Sequence, residues 1–144
     1  MIENIFPLDK LSGISRKKSK QFDFKAIHKA DVEKYLEDGW ILSRELKSST
    51  QVKKEKPKGK ALEDRVWGLF YKMNFLYLSG EGGAKLEITA NETNSVKSQL
   101  DIVAVDNEVA LVVECKSSKD PKKRPEFQEE LAKLSITKEC FTRT

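Results

Sequence analysis

The chain has 144 residues, 38% hydrophobic and 35% charged, with a formal net charge of +4 and a pI near 9.0. This composition excludes a disordered polyelectrolyte, allows one core or a small core with an appended segment, and favours partners of negative charge. No run of about 18 apolar residues and no basic-flanked apolar leader is present, so a cytoplasmic protein without a membrane partner is expected.

Residues 1–30 are polar and lysine-rich. "SRKKSKQFDFK" (Ser15 to Lys25) is their most basic part, and Phe22 and Phe24 alternate with polar neighbours as in a short strand. His28 is expected at the surface. "ADVEKYLEDGW" predicts a short helix over 31–38 that stops at Gly39, and "WILSREL" a strand over 40–46. "KSSTQVKKEKPKGK" (Lys47 to Lys60) holds almost nothing apolar and is expected to be an exposed linker. A boundary placed there separates a basic N-terminal extension, residues 1–59, from a core of residues 60–144.

From Ala61 the pattern is helical: Leu62, Val66, Leu69, Phe70 and Met73 follow the three-and-four spacing of one buried face. Gly80, Gly82 and Gly83 predict a turn, "KLEIT" a strand and "NETNS" a polar loop. "QLDIVAV" and "VALVVECK" predict two strands joined through "DNE" in a tight hairpin. "DPKKRPEFQEELAKLSITKECF" predicts a basic loop and then a helix from near Pro125. The order helix, three strands, helix gives an α/β core. Trp40 and Trp67 both lie within apolar patterns and are expected to pack rather than to stack on bases.

Cys115 and Cys140 cannot form a zinc site alone, and His28, the single histidine, is far from both in sequence. The chemistry-bearing residues are elsewhere. Residues two apart on a strand share a face, so Glu114 and Lys116 emerge together at the end of "VVECK". In an antiparallel hairpin the start of one strand meets the end of the next, which brings Asp101 to the same place. Strand ends are routinely charged, so acid-x-lysine alone says little. Asp101 adds more, because a carboxylate leading into Ile102 and Val103 would be costly to bury unpaired. Two carboxylates brought together call for a cation, and hard oxygen ligands suit Mg²⁺. A lysine beside such a cation can hold the attacking water of a phosphodiester hydrolysis.

With Glu63 on the long helix, "ALEDRVWGLFYKMNF", "QLDIVAV" and "VVECK" resemble the three acidic motifs of the restriction-endonuclease-like, PD-(D/E)xK, nuclease superfamily. The resemblance is closest to its branch of Holliday-junction resolvases and Mrr-like enzymes, and it covers roughly Lys60 to Lys138. It implies a restriction-endonuclease-like α/β core of helix, mostly antiparallel three-stranded sheet and helix, with the helix-strand extension before it. It implies Asp101 and Glu114 as metal carboxylates, Lys116 as catalytic lysine, Glu63 as a helix acid on the metal, and the Cys115 backbone carbonyl as a further ligand of Mg²⁺ or Mn²⁺. The implied activity is hydrolysis of DNA phosphodiesters in restriction, phage defence, recombination or repair. The alternative is a nucleic-acid-binding or assembly module with the same fold and no turnover. Leu100 stands where many members have proline, and no apolar run follows the last helix to supply the family's final strand. A homodimer and further domains of a longer chain stay open. Lys119, Lys122, Lys123 and Arg124 would lie beside the site and, with Lys60 of the linker, are the expected contacts to DNA phosphates.

Overall fold

The protein's structure, a computed structural model, describes residues 1–91 and 94–117. The chain opens with β1 (Ile2–Glu3), β2 (Ile5–Pro7) and α1 (Ser12–Lys18), followed by β3 (Phe22–Ile27), α2 (Val32–Glu37), β4 (Ile41–Glu45) and β5 (Thr50–Glu55). The long helix α3 (Lys58–Lys72) leads to β6 (Tyr77–Ser79), β7 (Ala84–Asn91), β8 (Asn94–Leu100), β9 (Ile102–Val105) and β10 (Ala110–Val113). The strands form three sheets, ordered β1-β7-β8, β10-β9-β6-β2 and β3-β5-β4, and the pairings are antiparallel throughout. The mixed α/β class is as expected. The predicted single sheet is not: "KLEIT", in β7, pairs with β8, while β9 and β10 belong to the neighbouring four-stranded sheet.

Strand β9 explains the layering. Ile102 and Ala104 point into a cluster with Leu11, Trp67, Phe75 and Leu78 beneath α1 and α3, whereas Val103 joins Ala84, Leu86 and Leu100 between the two sheets. Both faces of β9 are therefore covered, which accounts for an unbroken apolar run in place of alternation. Helices, four-stranded sheet and three-stranded sheet make three layers. The link from β8 to β9 is a single residue, Asp101, at which the chain bends from one sheet into the other. "QLDIVAV" is thus two strand ends around a corner, and the corner is the acid.

Residues 22–55 form a unit of their own. β3, β5 and β4 curl over α2, with Ile27 6% and Val52 0% exposed on the covered face and outside both core clusters. Its ends meet where the Lys56 N–H donates to the Gln21 carbonyl at 3.2 Å. The expected helix, strand and Gly39 stop are all present, Gly39 with φ +89°. The expected linker is corrected: Thr50–Glu55 is the central strand of this sheet, and its lysines conceal an alternation in which Thr50 and Val52 are buried.

The boundary at residue 59 does not coincide with a packing boundary. β1 pairs with β7, β2 pairs with β6, and Leu11 is 1% exposed in the main cluster. The buried face of α3 meets expectation in part, since Val66 and Phe70 pack against the main cluster. Asp64 and Trp67 are buried, while Leu69 and Met73 are more than half exposed. Trp67 sets this orientation, because its indole N–H donates to the Ser79 carbonyl at 2.7 Å and its ring stacks on Tyr71. Short β6 and the "NETNS" region, where β7 and β8 run on to Asn91 and from Asn94, were not foreseen as strands. The helix expected after Pro125 lies outside the described residues.

Candidate active site

The hairpin of β9 and β10 turns as "DNE" predicts, with the Asp106 N–H donating to the Val109 carbonyl at 2.8 Å. Its register pairs Ile102 with Val113, so one step further places Asp101 opposite Glu114. Two hydrogen bonds fix that end. The Cys115 N–H donates to Asp101 Oδ2 at 2.8 Å, and the Asp101 N–H donates to Glu114 Oε1 at 3.4 Å. Each carboxylate is thus steered by backbone from the other strand.

Glu63 reaches the same corner from α3. It precedes Trp67 by four residues, one helical turn, so the tryptophan that pins the helix to Ser79 also turns Glu63 toward the sheet. Its carboxyl group hydrogen-bonds with that of Asp101. Burial raises the Glu63 carboxyl above the usual carboxylate range, and the charge of Asp101, that hydrogen bond and Asp64 raise it further, while Lys18 opposes them. Burial likewise raises the Cys115 thiol, followed by the charges of Asp101, Glu63 and Glu114. Three acids therefore act on one point. Lys116, exposed, follows two residues after Glu114, and a Cβ on Gly59 at the start of α3 would lie 3.3 Å from Ser117 Oγ. The end of the hairpin and the start of the helix are in close approach.

The corner depends on Gly83. Its φ is +82°, and a Cβ there would overlap the carbonyl oxygen of Leu100 and lie 3.0 Å from that of Asp101. Asn4, between β1 and β2, donates its side-chain amide to the Glu81 and Gly83 carbonyls, so the N-terminal strands brace the turn that supports Asp101.

Beside Glu63 lies a feature that the sequence did not reveal. Asp64, 6% exposed, receives Lys56 Nζ at 2.6 Å and Lys18 Nζ at 3.0 Å, and Lys56 also donates to the carbonyls of Lys17 and Lys18. Removing Asp64 would leave the buried Lys56 uncompensated, which costs about 3–5 kcal/mol. Lys56 stands in a tract of lysines, and no local pattern separates the buried one from the exposed ones. Lys60, expected on DNA, pairs with Asp23 at 2.7 Å. Lys119, Lys122, Lys123 and Arg124 lie outside the described residues.

Glu63 and Asp101 open onto a cleft of about 700 Å³ that Lys20, Phe24 and Trp40 also line. Among the described residues no group of three acidic, histidine or cysteine side chains is arranged to hold a metal ion. Asp101 Oδ2 and Glu114 Oε1 are turned instead toward backbone amides.

Part of the chain resembles a known family. Residues 73–136 match the family model of the archaeal Holliday junction resolvases. The resemblance to the restriction-endonuclease-like superfamily is thereby borne out, over a stretch that contains Asp101, Glu114, Cys115 and Lys116. Glu63 precedes the matched stretch and joins these residues through folding. No curated protein and no solved structure matches the chain. No helix among the described residues is long and apolar enough to cross a membrane.

Proposed function

We propose that the chain is a divalent-metal-dependent endonuclease that hydrolyses DNA phosphodiester bonds, with branched recombination intermediates as its substrates. The observation that carries this is the convergence of Glu63, from a helix, on Asp101 and Glu114 at the open end of a hairpin that continues into Lys116. The resolvase family model favours recombination over the other roles considered, namely restriction, phage defence and repair.

The chemistry of the donors, carboxylate and carbonyl oxygens, suits a hard cation. Glu63 and Asp101 are pressed together with the proton affinity of Glu63 raised, which is the electrostatic debt that an Mg²⁺ or Mn²⁺ ion relieves. Asp101, Glu114, Glu63 and the Cys115 carbonyl would hold it, and when bound it acts as Lewis acid on the phosphoryl group and acidifies a water. The chain's own contribution is positioning. The Cys115 N–H holds Asp101 through Oδ2, and the Asp101 N–H keeps Glu114 on the same side of the hairpin. Lys116 donates from its ammonium to the attacking water or to a phosphoryl oxygen, stabilising the charge that develops there. Lys119, Lys122, Lys123 and Arg124 follow directly in the chain and are proposed to grip the flanking phosphates.

Cleavage of supercoiled, linear and four-way-junction DNA with Mg²⁺ or Mn²⁺ tests this. The wild-type chain is expected to cut, the junction foremost, and Lys116→Ala and Asp101→Ala to lose at least about a hundredfold in rate, as when one electrostatic stabiliser is removed. Equal behaviour of all three proteins would leave the other function considered, a nucleic-acid-binding or assembly module without turnover.

A further inference from the structure

We infer that the inserted sheet, through β3 and the residues just before it, is the wall that holds a single-stranded segment of DNA leading to the carboxylates. Lys20, Phe22, Phe24, Lys25 and Trp40, from the inserted sheet and the residues before it, line the same cleft as Glu63 and Asp101.

The charges on this wall are left available in a particular way. Elsewhere in the cleft the cations are neutralised by acids: Lys18 and Lys56 by Asp64, Lys60 by Asp23, Lys17 by Glu81. Among the described residues neither Lys20 nor Lys25 forms an ion pair. Lys20 lies over the Phe24 ring at 5.0 Å and Lys25 over the Tyr35 ring at 4.9 Å. A cation held by a ring keeps its full charge for an anion, so both lysines are poised for phosphate. Phe24 is 39% exposed although large and apolar, and its β5 partner Lys53 lies over the Phe22 ring at 4.7 Å. Lys20 and Phe24 on one face of β3 and Lys25 on the other meet the cleft at this edge strand of the sheet, and together they supply what single-strand binding requires: cations that follow the backbone and an exposed ring on which a base stacks.

Size selects the single strand. A cleft of about 700 Å³ is of the order of a ligand pocket, while a duplex presents grooves about 12 Å and about 6 Å wide between two backbones and would have to lie across the rim. The inference rests on the proposed nuclease function for its direction, from sheet to carboxylates, but the binding is measurable without turnover.

The test is fluorescence anisotropy of a labelled oligothymidylate on the full chain in EDTA, over a range of salt. Replacing both cations, Lys20→Ala with Lys25→Ala, is expected to weaken binding at least about tenfold at low salt. It should also flatten the slope of log K against log salt by about 1.4, at about 0.7 per phosphate contact on a single strand. Phe24→Ala is expected to weaken binding about fivefold or more with the slope unchanged. Lys85→Ala with Lys97→Ala, on the sheet away from the cleft, is expected to bind as wild type. The inference is overturned if the cleft variants bind like wild type, or if duplex of matching length loses affinity as much as single strand. A chain that cuts no DNA yet gives the expected pattern keeps the wall and removes the nuclease. A chain that cuts through Lys116 while the Phe24 and lysine variants bind normally does the reverse.

Discussion

Glu63 is the residue on which folding and chemistry disagree most. Its carboxyl is raised by burial and by Asp101, so the folded protein holds that proton more tightly than the unfolded chain. The sign follows from linkage: the folded state is favoured while Glu63 is protonated, and that advantage is lost as pH rises through its folded value. Glu63→Gln is therefore expected to raise the melting temperature of the metal-free protein at pH 7 and to make little difference near pH 4. A scan of Tm against pH for both proteins checks this, and a variant less stable at pH 7 would contradict it. Asp101, Glu114 and Lys116 were legible as candidates because acid-x-lysine at a strand end and an acid within an apolar run break a local pattern, whereas Glu63 was a candidate only through the family resemblance. Asp64 and Lys56 were not legible, since their pairing depends on α1 and β5 meeting α3 in space and neither residue looks unusual among its neighbours.

Among the elements, the corner between β8 and β9 determines where the acids meet. It exists because Gly83 approaches the Leu100 and Asp101 carbonyls closely with a positive φ. Gly83→Ala combines that overlap with a left-handed backbone costing about 1–2 kcal/mol for an L-residue, so a loss of at least this size is expected in urea unfolding, together with reduced cleavage as Asp101 shifts. Strand type was easy to foresee where one face is polar, as in β3, or where a run is wholly apolar, as in β9. It failed for β5, whose outward lysines hide Thr50 and Val52; for α3 the spacing found Val66 and Phe70 on the packed face but also included Leu69 and Met73, which the hydrogen bond of Trp67 to Ser79 leaves outside. Hydrophobic periodicity registers side-chain type but not a single buried polar contact.

For the whole molecule, the N-terminal strands and the inserted sheet have opposite relations to the core. β1, β2 and Leu11 are built into it, and their partners β6 and β7 are not local in sequence, which is why those pairings could not be read from the chain. Residues 22–55 stand outside both apolar clusters. Replacing them with a short Gly-Ser linker is expected to leave cooperative thermal unfolding with little loss of Tm, whereas deleting residues 1–11 is expected to abolish it. Circular dichroism melts of the two deletions separate these outcomes.

The hydrogen bond between Lys56 and Gln21 also bears on how the chain reaches this state. Until residues 22–55 have folded, α1 and α3 are joined by a long flexible tether, and closing it costs entropy that grows by about 0.6 kcal/mol with each doubling of length. Once β3 and β5 have paired, the tether is drawn in at its ends and the two helices behave as near neighbours. The local step within the insertion is the β4–β5 hairpin; pairing of β3 with β5 across α2 and β4 is what closes the tether, and with it closed the approach of α1 to α3, on which the burial of Asp64 and the aim of Glu63 depend, spans a much shorter loop.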